Sequence, residues 1–189
     1  MSTPDRLIEA TQELLWERGY VGTSPKAIQQ RAGAGQGSMY HHFAGKPELA
    51  LAAITRTAEE MRGTAGRLLD GPGSAYDRIA AYLLRERDVL RGCPVGRLTM
   101  DPDVITDDEL RAPVDATFDW LRGRITAIVQ EGVDAGEFTP GTEAGPVAAA
   151  VVATVQGGYV LARASGSSAA FDGAVEGLLS LLAARTHQD

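Results

Sequence analysis

The chain has 189 residues, 44% of them hydrophobic and 23% charged, a balance that supports one sizeable core or two small ones and excludes a largely disordered protein. Its formal net charge of −7 argues against a protein that coats nucleic acid non-specifically, since such proteins neutralise many phosphates and are basic overall. A single cysteine, Cys93, excludes an intrachain disulfide framework and an all-cysteine metal site.

Helical periodicity recurs from end to end, with no run of β-branched residues alternating with polar ones, so the fold class is all-α. Leu7, Ile8, Thr11, Leu14 and Leu15 make one face of a first helix; Glu9, Glu13, Glu17 and Arg18 lie largely opposite, and Gly19 stops it. Ser24 followed by Pro25 opens a second helix: a hydroxyl for the N-cap, then a residue whose missing N–H costs nothing in a first turn. That helix runs from Lys26 to about Ala32 and ends in Gly33-Ala34-Gly35. A third segment, Gln36 to Phe43, spaces Met39, Tyr40 and Phe43 for inward packing. Two short helices about a glycine turn form a helix-turn-helix pattern.

A long helix starts at Lys46-Pro47-Glu48-Leu49, places Ala53, Ile54, Ala58, Met61, Ala65, Leu68 and Leu69 at apolar positions, and stops at Gly71-Pro72-Gly73. Ser74 caps a fifth helix, expected to carry Ile79, Tyr82, Leu83 and Leu90 as far as Gly92 and the Cys93-Pro94 break. Thr106-Asp107-Asp108-Glu109 has the form of a capping box, a hydroxyl at the cap and a carboxylate three residues on. Val114, Phe118, Leu121, Ile125 and Ile128 step by four and three in turn, which makes one inward stripe. From Val147 to Ala164 the pattern is apolar nearly all round, as in a helix buried on more than one side. The last helix, with Phe171, Val175, Leu178, Leu179 and Leu182, has a stripe to bury against it. These two helices are expected to form an oligomer interface containing Val151, Val155, Gly158, Val175, Leu178 and Leu182.

No apolar run is expected to reach the roughly 18 to 20 residues of a membrane crossing, and the start MSTPDRLIEA lacks the basic-then-apolar order of a secretory signal. A cytoplasmic location is therefore expected. Local charge differs from the total: Arg18 to Pro47 holds both lysines, Lys26 and Lys46, with Arg31, His41 and His42, and contains no Asp or Glu. It is a basic island in an acidic chain.

Within that island, the stretch Thr23 to Leu49 resembles the DNA-binding signature of the TetR-family transcriptional regulators. Thr23, Ile28, Ala32-Gly33, Gly37-Ser38, Tyr40, His42-Phe43, Lys46 and Leu49 fall in the family's order and spacing. Gln29 stands where the family usually has alanine, Ala34 where it has valine, and Gly35 where a serine often caps the recognition helix. The resemblance is specific over residues 5 to 50. Beyond them it implies only architecture: about nine helices, a helix-turn-helix DNA-binding domain at 1–46, and a ligand-binding and dimerisation domain at 47–189. Arg91-Gly92-Cys93-Pro94-Val95-Gly96 and the stretch Val155 to Ala164 look like a subgroup that includes repressors of multidrug-resistance operons.

A major groove about 12 Å wide admits one helix, whose first residues reach base edges while flanking groups hold phosphates. By the resemblance, Gln36, Gly37 and Ser38 read bases: an amide suited to adenine, room for close backbone approach, and a hydroxyl. Ser24, Lys26, Tyr40, His41 and Lys46 offer donors for phosphate oxygens, which position without specifying sequence. Ser24 serves as an N-cap in either case, and His42 is expected as a packed or capping imidazole.

What the resemblance implies is a homodimeric, ligand-responsive repressor that binds a palindromic operator on double-stranded DNA and is released by a small hydrophobic effector. Tyr82, Leu83, Met100 and Phe118, with Trp120, Leu121 and Tyr159, are the apolar and aromatic candidates for the effector pocket. A co-ligand-dependent regulator or activator of the same fold, or a helical small-molecule-binding protein without DNA function, are the alternatives. No catalytic constellation, metal site or cofactor is expected. Gly33-x-Gly35-x-Gly37 lacks the preceding strand and the lysine of a nucleotide loop. The acids Asp101, Asp103, Asp107, Asp108 and Glu109 lack the spacing of a calcium loop and are assigned mostly to helix capping. Cys93 is expected to be structural.

Overall fold

The computed structural model describes residues 2–184 and Thr186. Among them nine α-helices form: α1 Thr3–Arg18, α2 Pro25–Ala32, α3 Gln36–His42, α4 Lys46–Leu69, α5 Ala75–Leu84, α6 Pro102–Thr106, α7 Asp108–Asp134, α8 Ala144–Ser165 and α9 Ala169–Ala183. A 3-10 turn, Gly96–Met100, precedes α6. The described residues contain no strand, only an isolated antiparallel bridge between Phe138 and Thr186. The fold is all-α, as the periodicity indicated. The chain divides into two compact units, each built from two stretches: the residues up to Glu60 with Cys93–Ala116, and Met61–Gly92 with the chain from Thr117 onward.

In the first unit, α1 starts from a capping box in which Ser2 and Asp5 satisfy each other's backbone N–H, and ends at Gly19, whose φ of 74° favours a residue without Cβ. One core joins the helices: Leu7, Ala10 and Leu14 of α1, Ile28 and Ala32 of α2, Met39 of α3 and Leu49 of α4, with Ala34 and Phe43 packed against them. Each large side chain so buried stabilises by about 1.5–3 kcal/mol. Around it, Gln12 donates to Thr57 and Glu60, and Arg56 pairs with Asp5 at 3.0 Å. Cys93 is buried, its sulfur accepting from the Gly96 N–H at 3.1 Å.

Two expectations are corrected at helix ends. Thr106 does not cap α7; it closes α6 by donating to the Pro102 carbonyl, and Asp107 takes the cap, accepting from the N–H groups of Glu109 and Leu110. The reason is position: Thr106 is the last residue of α6, whereas Asp107 stands directly before α7, where a side-chain oxygen reaches the N–H groups two and three residues on. In the second unit, α5 opens on the Ser74–Asp77 capping box as read but ends at Leu84, so Leu90 lies beyond the helix and exposed. Arg87 accounts for the early stop. Its guanidinium turns back and donates to the carbonyls of Tyr82, Leu83 and Arg85, the groups a helix end leaves without partners. Tyr82 and Phe171 cradle it, with centroids at 5.3 and 5.5 Å.

Also in the second unit, α8 packs along α9, with Phe171 against Tyr159 at 5.0 Å. The approach is close: a Cβ at Gly158 would stand 2.7 Å from the Phe171 ring. By length and composition α8 would pass as a membrane span, 22 residues with a mean hydropathy of 1.4, against the expectation that no apolar run comes near that length. Its side chains at Val151, Val152, Val155 and Tyr159 are instead buried within the chain. On the other side of α8, Val160 and Leu161 are 68% and 55% exposed in the single chain.

Candidate nucleic-acid interface

The local rules that build the two short helices also set their exposed groups. Ser24 caps α2, its hydroxyl accepting from the Ala27 N–H at 3.2 Å, and Pro25 fills the first turn. Gly33 closes the helix in the left-handed region at φ 58°, and Ala34 N–H bonds back to the Gln29 carbonyl. Gly35 then begins α3 with no side-chain cap. The departure at Gln29 has a partner: its amide donates to the Met39 sulfur at 3.4 Å, which ties α2 to α3.

On α3, Met39 is fully buried and fixes which side faces out. Gln36, Gly37, Tyr40 and His41 step by one, three and one, which gathers them on the opposite side, and all four are exposed. Ser38 is half-buried. Tyr40 is thus not an inward residue as its spacing suggested; it is 49% exposed. His42 is exposed rather than packed, its ring edge-on to His41 at 4.9 Å. Gly37 has no need of glycine from within: its φ is not positive, and an added Cβ would meet nothing within 4 Å. The bare backbone there is free for something outside the chain.

The basic island is less uniformly available than its composition implied. Arg31 forms a two-pronged pair with Glu17, at 2.7 and 2.9 Å, and that hydrogen bonding holds its guanidinium above the usual range. Lys46 lies with its ammonium 3.9 Å over the Tyr20 ring. Burial draws its pKa down, against the opposing pull of Asp101 and Asp103. Ser24 and Lys26 are exposed at the start of α2. The head therefore presents Ser24, Lys26, Gln36, Gly37, Tyr40 and His41 outward, while Ser38 is partly covered and Lys46 is held on an aromatic face.

Of the seven pocket candidates, the structure joins Tyr82 and Tyr159 in one cluster through Arg87 and Phe171. Leu83 and Leu121 are buried, Phe118 and Trp120 half-buried, with Trp120 against Gly66. Met100 belongs to the first unit and is 85% exposed. A cleft of about 270 Å³ lies elsewhere, between α1 and α2, lined by Arg6, Glu9, Ala10, Glu13, Arg31 and Ala32. The six residues expected at a dimer interface are all buried within one chain.

Sequence reasoning missed three participants: Glu17, which takes Arg31; Tyr20, which takes Lys46; and Asp101. Asp101 precedes α6 but makes no side-chain cap to it; its carboxylate instead accepts from the Val21 N–H at 3.0 Å, in the loop ahead of α2. The acidic cluster was visible as a cluster, and nothing local in it separates Asp101 from the true cap at Asp107.

Comparison with known proteins agrees with this geometry. The family described as bacterial regulatory proteins, tetR family, matches residues 7–53, and the tetracyclin repressor-like C-terminal domain matches residues 74–178. A TetR transcriptional regulator from Chloroflexus aurantiacus superposes with a TM-score of 0.86 at 28% identity, covering 99% of this chain and 97% of that one. An uncharacterized HTH-type transcriptional regulator in the lacX 3′ region of Lactococcus lactis is 27% identical over 86% of this chain and 84% of its own. Transcriptional regulator AcuR of Cereibacter sphaeroides is 30% identical over 70% of this chain and 64% of its own.

Proposed function

The chain belongs to the TetR family of transcriptional regulators, and we propose that it is a ligand-responsive repressor that binds a palindromic operator as a homodimer. The observation that carries the DNA-reading part is α3, whose outward side offers an amide, a bare backbone, a phenol and an imidazole in place of packing residues. Gln36, Gly37 and Ser38 are assigned to bases. Ser24, Lys26, Tyr40, His41 and Lys46 are assigned to phosphates, Lys46 once it leaves Tyr20.

For the dimer, the support comes from the sides of α8 and α9 left outside. Ala153, Gly157, Val160, Leu161 and Ala164 on α8, with Gly173, Gly177 and Leu181 on α9, are exposed and apolar or small. Added Cβ atoms at Gly157, Gly173 and Gly177 would meet nothing within 4 Å. Such a face allows a second copy to approach closely, and two-fold symmetry then imposes the palindrome. Half-sites one turn apart lie about 34–36 Å from each other, so a dimer whose heads leave that spacing releases the operator.

The effector is assigned to the residues from 47 onward, the ligand-binding and dimerisation part, with the head at 1–46. α4 begins in the head and continues past it, the natural lever between the two. An effector that prefers the releasing state lowers operator affinity, and operator binding lowers effector affinity by the same factor. A small hydrophobic effector is what the family resemblance implies, and the buried Tyr82, Tyr159 and Phe171 lie in that part of the chain.

Selection of bound duplexes from random DNA at fixed moderate salt, without added ligand, tests the reading. Enrichment of an inverted repeat is the expected result. Enrichment of a single half-site overturns the dimer, and enrichment only after adding a small molecule replaces the repressor with a co-ligand-dependent regulator.

A further inference from the structure

Asp101 stands in the segment after the 3-10 turn, 80 residues beyond the amide it binds, yet it is part of the DNA-reading unit. It is only 7% exposed. One carboxylate oxygen, Oδ2, accepts from the Val21 N–H; the other, Oδ1, is buried and finds no hydrogen-bond partner among the described residues. The carboxylate is seated against Gly19, where a Cβ would fall 2.8 Å from Oδ2. Gly19, Tyr20 and Val21 form the link from α1 to the turn that presents Ser24 and Lys26. Tyr20 is also the ring that holds Lys46. A buried charge with an orphan oxygen is costly and is tolerated where nearby positive charge offsets it; Asp101 attracts the Lys46 ammonium, as Asp103 does, and Tyr20, under that ammonium, lies between the two residues that Asp101 touches.

We propose that Asp101 is a positioning residue for operator binding with two separable effects: its hydrogen bond to Val21 fixes the loop that presents Ser24 and Lys26, and its charge retains Lys46 on Tyr20, away from phosphate. The inference rests on the operator-binding reading above. The two effects have opposite signs. Holding the loop favours binding, because an ordered loop need not be ordered by DNA. Retaining Lys46 opposes it, because a phosphate contact is withheld.

Asparagine and alanine separate them. Asp101→Asn keeps an acceptor for Val21 and removes the charge; Asp101→Ala removes both. With the duplex enriched by the unmodified chain, Asp101→Asn is expected to bind about three- to tenfold tighter at low salt, with a salt slope steeper by about one. Lys46→Ala in the Asn background should erase that gain. Asp101→Ala is expected to bind more weakly than Asp101→Asn and to exchange the Val21 amide hydrogen faster, a readout taken on the free protein. Equal affinities for Asn and Ala at equal unfolding midpoints, or an Asn gain that survives Lys46→Ala, would overturn the proposal while leaving operator binding intact. No binding by the unmodified chain to any duplex overturns both. If Asp101→Ala fails to fold, the Asn and Asn/Lys46→Ala comparison decides alone.

Discussion

The Gln29 amide donates to the Met39 sulfur at 3.4 Å, a side-chain hydrogen bond that ties α2 to α3. Met39 is fully buried, so the bond sets the angle of α3 from its covered side. Met39→Leu keeps the volume and deletes the acceptor, and is expected to lower stability by about 1 kcal/mol in denaturant melts. Gln29→Ala should cost less, since alanine recovers helix propensity. A double-mutant cycle that shows no coupling would sink the contact.

Gly37→Ala separates stability from recognition. Nothing in the chain opposes the added methyl, and alanine favours the helix, so the unfolding free energy should rise by about 0.5 kcal/mol. Operator affinity should fall, roughly tenfold, if backbone approach to bases occurs there. A variant both more stable and equally tight in binding would remove Gly37 from the interface.

Charge within the head should not act uniformly. Lys26 is exposed, whereas Arg31 is already engaged by Glu17 through two bonds. Lys26→Ala is expected to weaken binding roughly tenfold and flatten the salt slope by about one, and Arg31→Ala to leave the slope nearly unchanged. Titrations at several salt concentrations distinguish the two; equal slopes for both variants would contradict the pairing.

Leu161→Glu and Val155→Asp test which side of α8 meets a second copy. Leu161 is exposed and Val155 buried in the single chain. Leu161→Glu should keep the fold and weaken association at least tenfold in sedimentation, by placing a charge in a closed interface. Val155→Asp should instead unfold the chain, by several kcal/mol. Dimers of unchanged strength in Leu161→Glu would move the interface elsewhere.

Asp5 is one source of acid sensitivity. The Ser2 hydroxyl first, and then the Arg56 guanidinium, hold the Asp5 carboxyl below its ordinary value of 3.8. The unfolded chain regains that value and takes up the proton first, so the stabilisation is complete above it and is lost as pH falls through the lower folded value. Asp5→Asn should flatten the fall in urea midpoint as the pH drops below the ordinary carboxyl value of 3.8. An unchanged curve would assign acid unfolding to other carboxylates.

What was legible in the sequence was what short-range rules decide. The Leu7–Leu14 stripe, Ser24-Pro25, the αL glycine at Gly33 and the Ser74 cap each depend on residues within a turn or two. The outward side of α3 followed from its resemblance to a known signature, except at Tyr40, whose aromatic ring suits core and surface alike. The end of α5 was not legible, because Arg87 is held by Phe171 from far along the chain as well as by its own carbonyls. Nor was the state of Lys46: counting charges along the island gives no sign that Tyr20 takes the ammonium. For α8 and α9, the large apolar side chains mark the contact inside one chain. The outer face is carried by alanines and glycines, which periodicity of hydrophobic residues passes over.

The hold of Asp101 on Val21 bears on how such a head can be transplanted. Its unit is completed by Cys93–Ala116, so a chimera made by joining residues 1–60 to a foreign effector-binding part would carry the reading helix without the carboxylate that steadies its loop. The same dependence orders events on the ribosome: α1 to α3 emerge early, yet their loop waits for Asp101 until the intervening stretch Met61–Gly92 has been made. Moving the head of this protein into another regulator is therefore expected to require two pieces of chain, not one.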